Sequence, residues 1–184
     1  EMLSGDWSSD VCSSDLDERL GKRGQFQPAG TIIVHPWGRY CVGTKNAGEQ
    51  EVIAVRELLV KEGRINPKQV GICGFSMGGA GAWLLGAHYT DKWAVVHPGA
   101  GFVEVRKFQN VKDEVFAAMP KWEITLWGQN DVPDYARNLL NVPVVAYSGE
   151  NDKQRQAAEI MTEVLAKEGL TLKHFIGPKT EHKY

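Results

Sequence analysis

The stretch VGICGFSMGG, residues 70–79, carries the strongest fold signal in the chain. Its apolar beginning predicts a buried strand over 70–73, and the small residues after it predict a helix over 80–87. Between them lies Gly-x-Ser-x-Gly, with Gly74, Ser76 and Gly78. A strand, a tight turn and a helix in this order are the context of a nucleophile elbow, where a strained backbone makes neighbouring glycines a steric demand. We therefore predict that Ser76 is a nucleophile; the alternative is a glycine-rich turn with an incidental serine.

The composition is that of an ordinary globular domain. A chain of 184 residues with 42% hydrophobic and 24% charged residues suffices for one domain with a sizeable core. The net charge of -2 gives no reason to expect a nucleic acid or an anionic membrane as partner. No apolar run approaches the roughly 20 residues of a membrane span. The three cysteines form neither a disulfide framework nor a metal-ligand spacing, and Cys73 is expected to be a small core residue.

The N-terminal residues 1–16 differ from the rest of the chain. The segment DWSSDVCSSDL, residues 6–16, lacks periodicity and resembles a translated sequencing adapter, with a Ser/Asp-rich tail as the alternative. We set residues 1–16 apart as a non-native or disordered tail. Residues 17–184 are then expected to be part of a catalytic domain whose first strands are missing, in a fragment from assembled reads.

Strand patterns alternate with helical patterns along residues 17–184. The predicted strands are 31–34, 70–73, 93–97, 143–147 and 172–176, and the predicted helices are 46–62, 80–87 and 154–168. This alternation indicates an α/β fold with a mostly parallel sheet and helices on both faces. Residues 103–134 are irregular to helical, and we expect them to be a segment inserted at the mouth of the site.

A serine nucleophile needs a base, and the base needs a third group that orients it. In one recurring arrangement the serine, the acid and the histidine follow in this chain order, each after a strand. Asp152 follows the strand 143–147 and His182 follows the last strand, so both can converge on Ser76. Glu150 and Asp131 compete for the role of the acid. Asp131 lies outside a loop that follows a strand, and Glu150 is two residues nearer its strand, so loop position favours Asp152.

The other histidines are expected to be structural, since none occupies the final loop. These are His35, His88, His97 and His174. Of them, His97 ends a strand near the site, and we expect it to line the pocket together with Phe75. No pair of His, Cys or carboxylate residues has a zinc spacing, so neither a metal nor another cofactor is expected.

Residues 31–184 resemble the C-terminal part of an α/β-hydrolase domain of the prolyl-oligopeptidase type, including its esterase-like bacterial relatives. The resemblance is carried by residues 31–40, by NPKQV leading into GFSMGG, by SGEND at 148–152 and by THE at 180–182. The lead-in Asx-Pro-x-x-Val recurs in that family. The resemblance implies an α/β-hydrolase fold and a triad of Ser76, Asp152 and His182. It also implies that the backbone N–H of Met77 is one oxyanion donor.

The second oxyanion donor depends on how HPWG, residues 35–38, is interpreted. In the family this donor comes from a loop after an earlier strand, and HPWG superficially fits. Only one helix separates it from the elbow strand, however, so we expect the strand that carries the oxyanion loop to be upstream and missing. Trp37, Arg39 and Tyr40 would then line the rim of the pocket. The alternative is that the N–H of Trp37 is the second donor.

The resemblance implies acyl transfer from a small ester or peptide substrate. We expect a serine peptidase similar to the prolyl oligopeptidases, with a carboxylesterase as the alternative. A non-catalytic α/β-hydrolase-like fragment or binding protein is the alternative from another class.

Overall fold

The protein has a sheet of four parallel strands. The computed structural model describes residues 29–36 and 44–183. The strands are β1 Gly71–Phe75, β2 Val95–Gly99, β3 Val145–Gly149 and β4 Lys173–Gly177. Their order in the sheet is the order in the chain, and all three pairings are parallel. The carboxyl ends of all four strands therefore meet at one edge, where loops can bring distant residues together.

Helices and 3₁₀ segments precede and connect these strands. The helices are α1 Ala47–Lys61, α2 Met77–His88, α3 Val105–Phe108, α4 Asp113–Ala118, α5 Lys121–Gly128 and α6 Gln156–Lys167. The 3₁₀ segments are Pro67–Gln69, Thr90–Lys92, Val132–Asn141 and Lys153–Arg155. A capping box of Asn46 and Glu49 starts α1, and Gly169 follows α6 in the left-handed conformation that favours glycine.

The core lies between one face of the sheet and the helices α1, α2 and α6. Val96 of β2 and Ala146 of β3 point into it and are fully buried, as are Trp83 of α2 and Met161 of α6. Because side chains alternate along a strand, the next residues point to the opposite face. No described helix covers that face beside β1, and Cys73 is exposed there. The prediction that Cys73 is a core residue is therefore wrong.

The predicted strand at 31–34 is also wrong. Residues 31–36 have no regular structure, and Ile32, Ile33 and Val34 are 51%, 38% and 43% exposed. β-Branched residues favour a strand where a partner strand and a buried face are available. This segment pairs with none of the described strands, so its composition alone was misleading.

The other predicted elements correspond to observed ones, with shifted ends. Each of the four remaining strands ends one or two residues later than predicted. The segment at 103–134 forms α3, α4, α5 and the start of the 3₁₀ segment Val132–Asn141. It leaves the sheet just after β2, whose final residue, Gly99, accepts a hydrogen bond from the N–H of Ser76. Among the described residues, no helix is both long enough and apolar enough to cross a membrane.

Candidate active site

Ser76 occupies a strained turn between β1 and α2. Its φ of 56° and ψ of -119° lie outside the regions that non-glycine residues usually adopt. Two backbone hydrogen bonds hold it there: its N–H donates to the carbonyl of Gly99 at 2.9 Å, and its own carbonyl accepts from the N–H of Ala80 at 3.0 Å. The end of β2 and the first turn of α2 thus fix the serine backbone.

Glycines make this turn possible, but they are not all equivalent. A Cβ at Gly74 would overlap the backbone of Gly78, and one at Gly79 would overlap the carbonyl of Gly99. At Gly78, by contrast, no described atom beyond its chain neighbours and the backbone of its own helix lies within 4 Å of where a Cβ would be. The steric demand therefore falls on Gly74 and on Gly79, which lies outside Gly-x-Ser-x-Gly and which the motif alone did not indicate.

The side chains of Ser76, His182 and Asp152 form one hydrogen-bonded chain. The distance from Ser76 Oγ to His182 Nε2 is 2.8 Å, and that from His182 Nδ1 to Asp152 Oδ2 is 2.9 Å. The imidazole is 36% exposed, whereas the carboxylate is 2% exposed. An imidazole in this position can move a proton at the serine oxygen, while the shielded carboxylate keeps the orientation of the imidazole fixed.

The loop that carries Asp152 holds the carboxylate in one orientation. We call residues 150–152 the acid loop. Oδ1 of Asp152 accepts a hydrogen bond from the N–H of Gln154 at 2.8 Å, which leaves Oδ2 for His182. The 3₁₀ segment Lys153–Arg155 begins directly after Asp152. The local sequence thus turns the chain after β3 and fixes the orientation of the Asp152 carboxylate.

The two competing carboxylates have other partners. Glu150 accepts a hydrogen bond from the backbone N–H of Lys179 at 2.7 Å. Asp131 accepts one from the backbone N–H of Val105 at 2.7 Å. Burial raises the pKa of the Asp131 carboxyl above its usual value, whereas the hydrogen bond from Val105 lowers it. The structure brings neither carboxylate to His182.

The backbone N–H of Met77 lies at the start of α2, directly after Ser76. The first N–H groups of a helix have no intrahelical acceptor, and the helix dipole makes this end positive. The N–H of Met77 donates to no described residue outside its own turn and lies beside the serine. Trp37, Arg39 and Tyr40 lie outside the described residues.

Of the four predicted pocket residues, the two that the structure describes differ in their contacts. The ring of Phe75 lies 4.8 Å, centroid to centroid, from the ring of His182. Nδ1 of His97 instead forms a hydrogen bond with the carbonyl of Val145 in the neighbouring strand. Phe75 therefore packs against the imidazole of His182. His97, two residues before the end of β2, contacts the backbone of β3 instead.

The remaining described histidines form no hydrogen bond with Ser76, His182 or Asp152. His88 pairs with Glu49 at 2.8 Å, and His174 forms a hydrogen bond with the buried Ser148 at 2.7 Å. Burial lowers the pKa of His174, and the nearby charge of Arg155 lowers it further. His35 is exposed.

Two further residues that the sequence motifs did not indicate also shape the site. Gln154 accepts a hydrogen bond from the N–H of Gly101 at 2.9 Å, which ties the loop after β2 to the segment after Asp152. Gly149 has no space for a Cβ, because carbonyl oxygens of the loop before His182 occupy that position. The only sequence signal was the glycine at the end of a strand. Within the part of the chain that the structure describes, no group of His, Cys, Asp and Glu could hold a metal ion.

Solved structures of known proteins share this fold. The chain matches dipeptidyl peptidase 4 of Porphyromonas gingivalis with a TM-score of 0.62 and 20% identity, over 77% of the chain and 20% of that protein. It matches a puromycin-hydrolyzing peptidase of Mycobacterium tuberculosis with a TM-score of 0.59 and 20% identity, over 73% of the chain and 22% of that protein. It matches S-formylglutathione hydrolase of Staphylococcus aureus with a TM-score of 0.58 and 18% identity, over 73% of the chain and 56% of that protein. No curated protein sequence matches the chain significantly.

These likenesses define the class of protein: the chain has the α/β-hydrolase fold. It belongs to the prolyl oligopeptidase family, because the model of that family matches residues 41–184. The predicted fold and family are thus confirmed. The chain spans about a fifth of the length of the two peptidases. At these identities the solved structures show the fold alone.

Proposed function

We propose that the chain carries the catalytic site of a serine peptidase of the prolyl-oligopeptidase type, with Ser76, Asp152 and His182 as the catalytic triad. The observation that carries the proposal is the unbroken hydrogen-bonded chain from Ser76 Oγ through both imidazole nitrogens of His182 to Asp152 Oδ2. Membership of the prolyl oligopeptidase family supports a peptide bond as the target.

The proposed reaction is acyl transfer in two halves. His182 Nε2 takes the proton from Ser76 Oγ as the oxygen attacks the carbonyl carbon of the substrate, and the carbonyl oxygen becomes an oxyanion. The imidazolium then gives that proton to the leaving amine or alcohol, the scissile bond breaks, and an acyl-enzyme remains. A water molecule, deprotonated by His182, attacks the acyl carbon, and the proton returns to Ser76 as the acid product leaves.

The surrounding groups have distinct roles in this proposal. Asp152 holds the imidazole in the tautomer that accepts at Nε2 and stabilises the imidazolium. The N–H of Met77 donates to the oxyanion, and the positive end of α2 favours the negative charge that forms there. The strained backbone of Ser76 presents its Oγ to His182, since both backbone bonds of the serine are already fixed.

A fluorophosphonate probe tests the proposal, because only an activated serine reacts with it. We expect covalent labelling of the full chain at Ser76 and none in Ser76→Ala. A wild-type protein that folds and still fails to label would contradict the proposal and would favour a non-catalytic hydrolase-like protein.

The second candidate is a carboxylesterase. It is favoured by the fold that the chain shares with S-formylglutathione hydrolase over 73% of its length. The same residues would perform both reactions, so the substrate must be tested directly. Hydrolysis of p-nitrophenyl esters is compared with hydrolysis of Xaa-Pro amides; a kcat/KM measurable for the esters alone would favour the esterase.

A further inference from the structure

The acid loop contacts the loop that carries His182 along the backbone. We call residues 177–182, which begin with the last residue of β4, the histidine loop. The N–H of Glu150 donates to the carbonyl of Gly177 at 2.9 Å, and the N–H of Asn151 donates to the carbonyl of Thr180 at 2.9 Å. The absence of a side chain at Gly149 allows this close approach. The acid and the base are therefore placed by one shared arrangement of two loops.

The side chain of Glu150 adds a third bond between the two loops. Its Oε2 accepts a hydrogen bond from the backbone N–H of Lys179 at 2.7 Å, across 29 positions of the chain. Lys179 has a φ of 54°, a conformation that non-glycine residues rarely adopt. A carboxylate that accepts from a backbone N–H forms a charge-assisted bond, which is stronger than a neutral one. Glu150 thus holds a strained residue that lies three positions before His182.

Among the described residues, few others pack against the histidine loop besides Phe75, whose ring contacts that of His182. Most of its residues are exposed, among them Pro178, Lys179 and Glu181. The hydroxyl of Tyr147 donates to the carbonyl of Lys183, just after the base, at 3.1 Å. Because buried apolar contacts among the described residues are few here, hydrogen bonds hold the loop and, through it, help to hold the imidazole.

We propose that Glu150 is a positioning residue: it fixes His182 at hydrogen-bonding distance from Ser76 by holding Lys179. This inference rests on the proposed function, since it assigns Glu150 a role in placing the proposed base. A group held even about 1 Å from its productive position can lose on the order of 10²-fold in rate. The bond from Tyr147 and the two backbone bonds between the loops remain when Glu150 is changed, so the expected loss is smaller.

The test compares three variants of the full chain. We expect Glu150→Ala to lower kcat and the rate of fluorophosphonate labelling about tenfold, with KM changed less than about twofold. Glu150→Gln keeps an oxygen acceptor in the same place, so its kcat should stay within about threefold of wild type. Glu163→Ala is the matched control, because Glu163 is an exposed glutamate on α6 with no partner among the described residues. Its kcat should equal that of wild type.

Hydrogen exchange gives a readout that does not depend on activity. The backbone amide of Lys179 should exchange about tenfold faster in Glu150→Ala than in wild type and in Glu163→Ala, with unchanged exchange in the core helix α2. Equal labelling and equal exchange in Glu150→Ala and wild type would overturn the inference. So would a Glu150→Gln variant as slow as Glu150→Ala, because the charge and not the hydrogen bond would then matter.

These outcomes separate the inference from the proposed function. If the wild-type chain itself neither labels nor hydrolyses, the proposed function fails, while exchange at Lys179 still tests the bond to Glu150. If wild type labels and Glu150→Ala labels equally fast, the triad stands and the positioning role of Glu150 does not.

Discussion

His182 Nε2 lies 2.8 Å from Ser76 Oγ, although 106 positions of the chain separate the two residues. The proximity follows from the parallel sheet. Ser76 follows β1 and His182 follows β4, and both strands end at the same edge. Asp152 follows β3, so each of the three side chains comes from a loop after a different strand. Local turns orient each side chain, and the order of the parallel strands brings the three turns together.

The first prediction concerns the nucleophile. Ser76→Ala should lower kcat on the order of 10⁶-fold, because the acyl-enzyme can no longer form. The melting temperature should change little, since both backbone hydrogen bonds of residue 76 are retained. The measurements are hydrolysis, probe labelling and thermal unfolding. Thr171→Ala, which removes an exposed hydroxyl away from the site, is the control. Activity above a few per cent of wild type in Ser76→Ala would exclude Ser76 as the nucleophile.

The second prediction separates the three carboxylates. Asp152→Asn should lower kcat by about 10⁴, because an amide facing Nδ1 favours the wrong tautomer of His182. Glu150→Gln and Asp131→Asn should each stay near wild type, since both keep an oxygen that accepts a backbone N–H. Steady-state kinetics on the three variants checks this. A larger loss in Glu150→Gln than in Asp152→Asn would move the acid by two residues.

The chain order of the proposed triad could be predicted because each of its members follows a strand with a local signature. The apolar strand, the glycine turn and the small-residue helix around Ser76 are all signals within residues 70–87. Asp152 and His182 could be assigned by their position after strands, once a parallel sheet was expected.

What the sequence did not indicate depends on pairing between distant segments. Residues 31–34 have the composition of a strand, yet no described strand pairs with them. Cys73 alternates with core residues along β1 and points to the face that α2 does not cover. Gln154 reaches Gly101 across 53 positions, and no local pattern marks that pair. Tertiary contacts of this kind override local preference.

The third prediction concerns stability and pH. Burial, the largest influence, raises the pKa of Asp131 in the folded protein, and the negative charge of Asp134 raises it as well. The hydrogen bond from Val105 and the positive charge of Lys45 lower it by less. With a net upward shift, the folded state binds more protons than the unfolded state, so this carboxyl costs stability as the pH rises through its folded pKa. Asp131→Asn should therefore melt at a higher temperature than wild type at about pH 8 and at nearly the same temperature at about pH 4.

Thermal unfolding at both pH values checks the sign of this effect. Glu163→Gln is the control for the loss of one negative charge, because Glu163 is exposed on α6 and has no partner among the described residues. It should leave the pH dependence of the melting temperature nearly unchanged. A variant Asp131→Asn that is less stable than wild type at the higher pH would mean that its charge is favourably paired.

The last prediction compares two neighbouring glycines of the elbow helix. Gly79→Ala should lower the free energy of unfolding by about 1–3 kcal/mol or more, because the new Cβ overlaps the carbonyl of Gly99 and backbone cannot move aside as a side chain can. Gly78→Ala should have no such cost, since no described atom beyond its chain neighbours and the backbone of its own helix lies within 4 Å of its Cβ position and alanine favours a helix. Urea unfolding of the two variants checks the difference. Equal losses at both positions would show that Gly78 is as crowded as Gly79, and the steric demand would then extend to both glycines after Ser76.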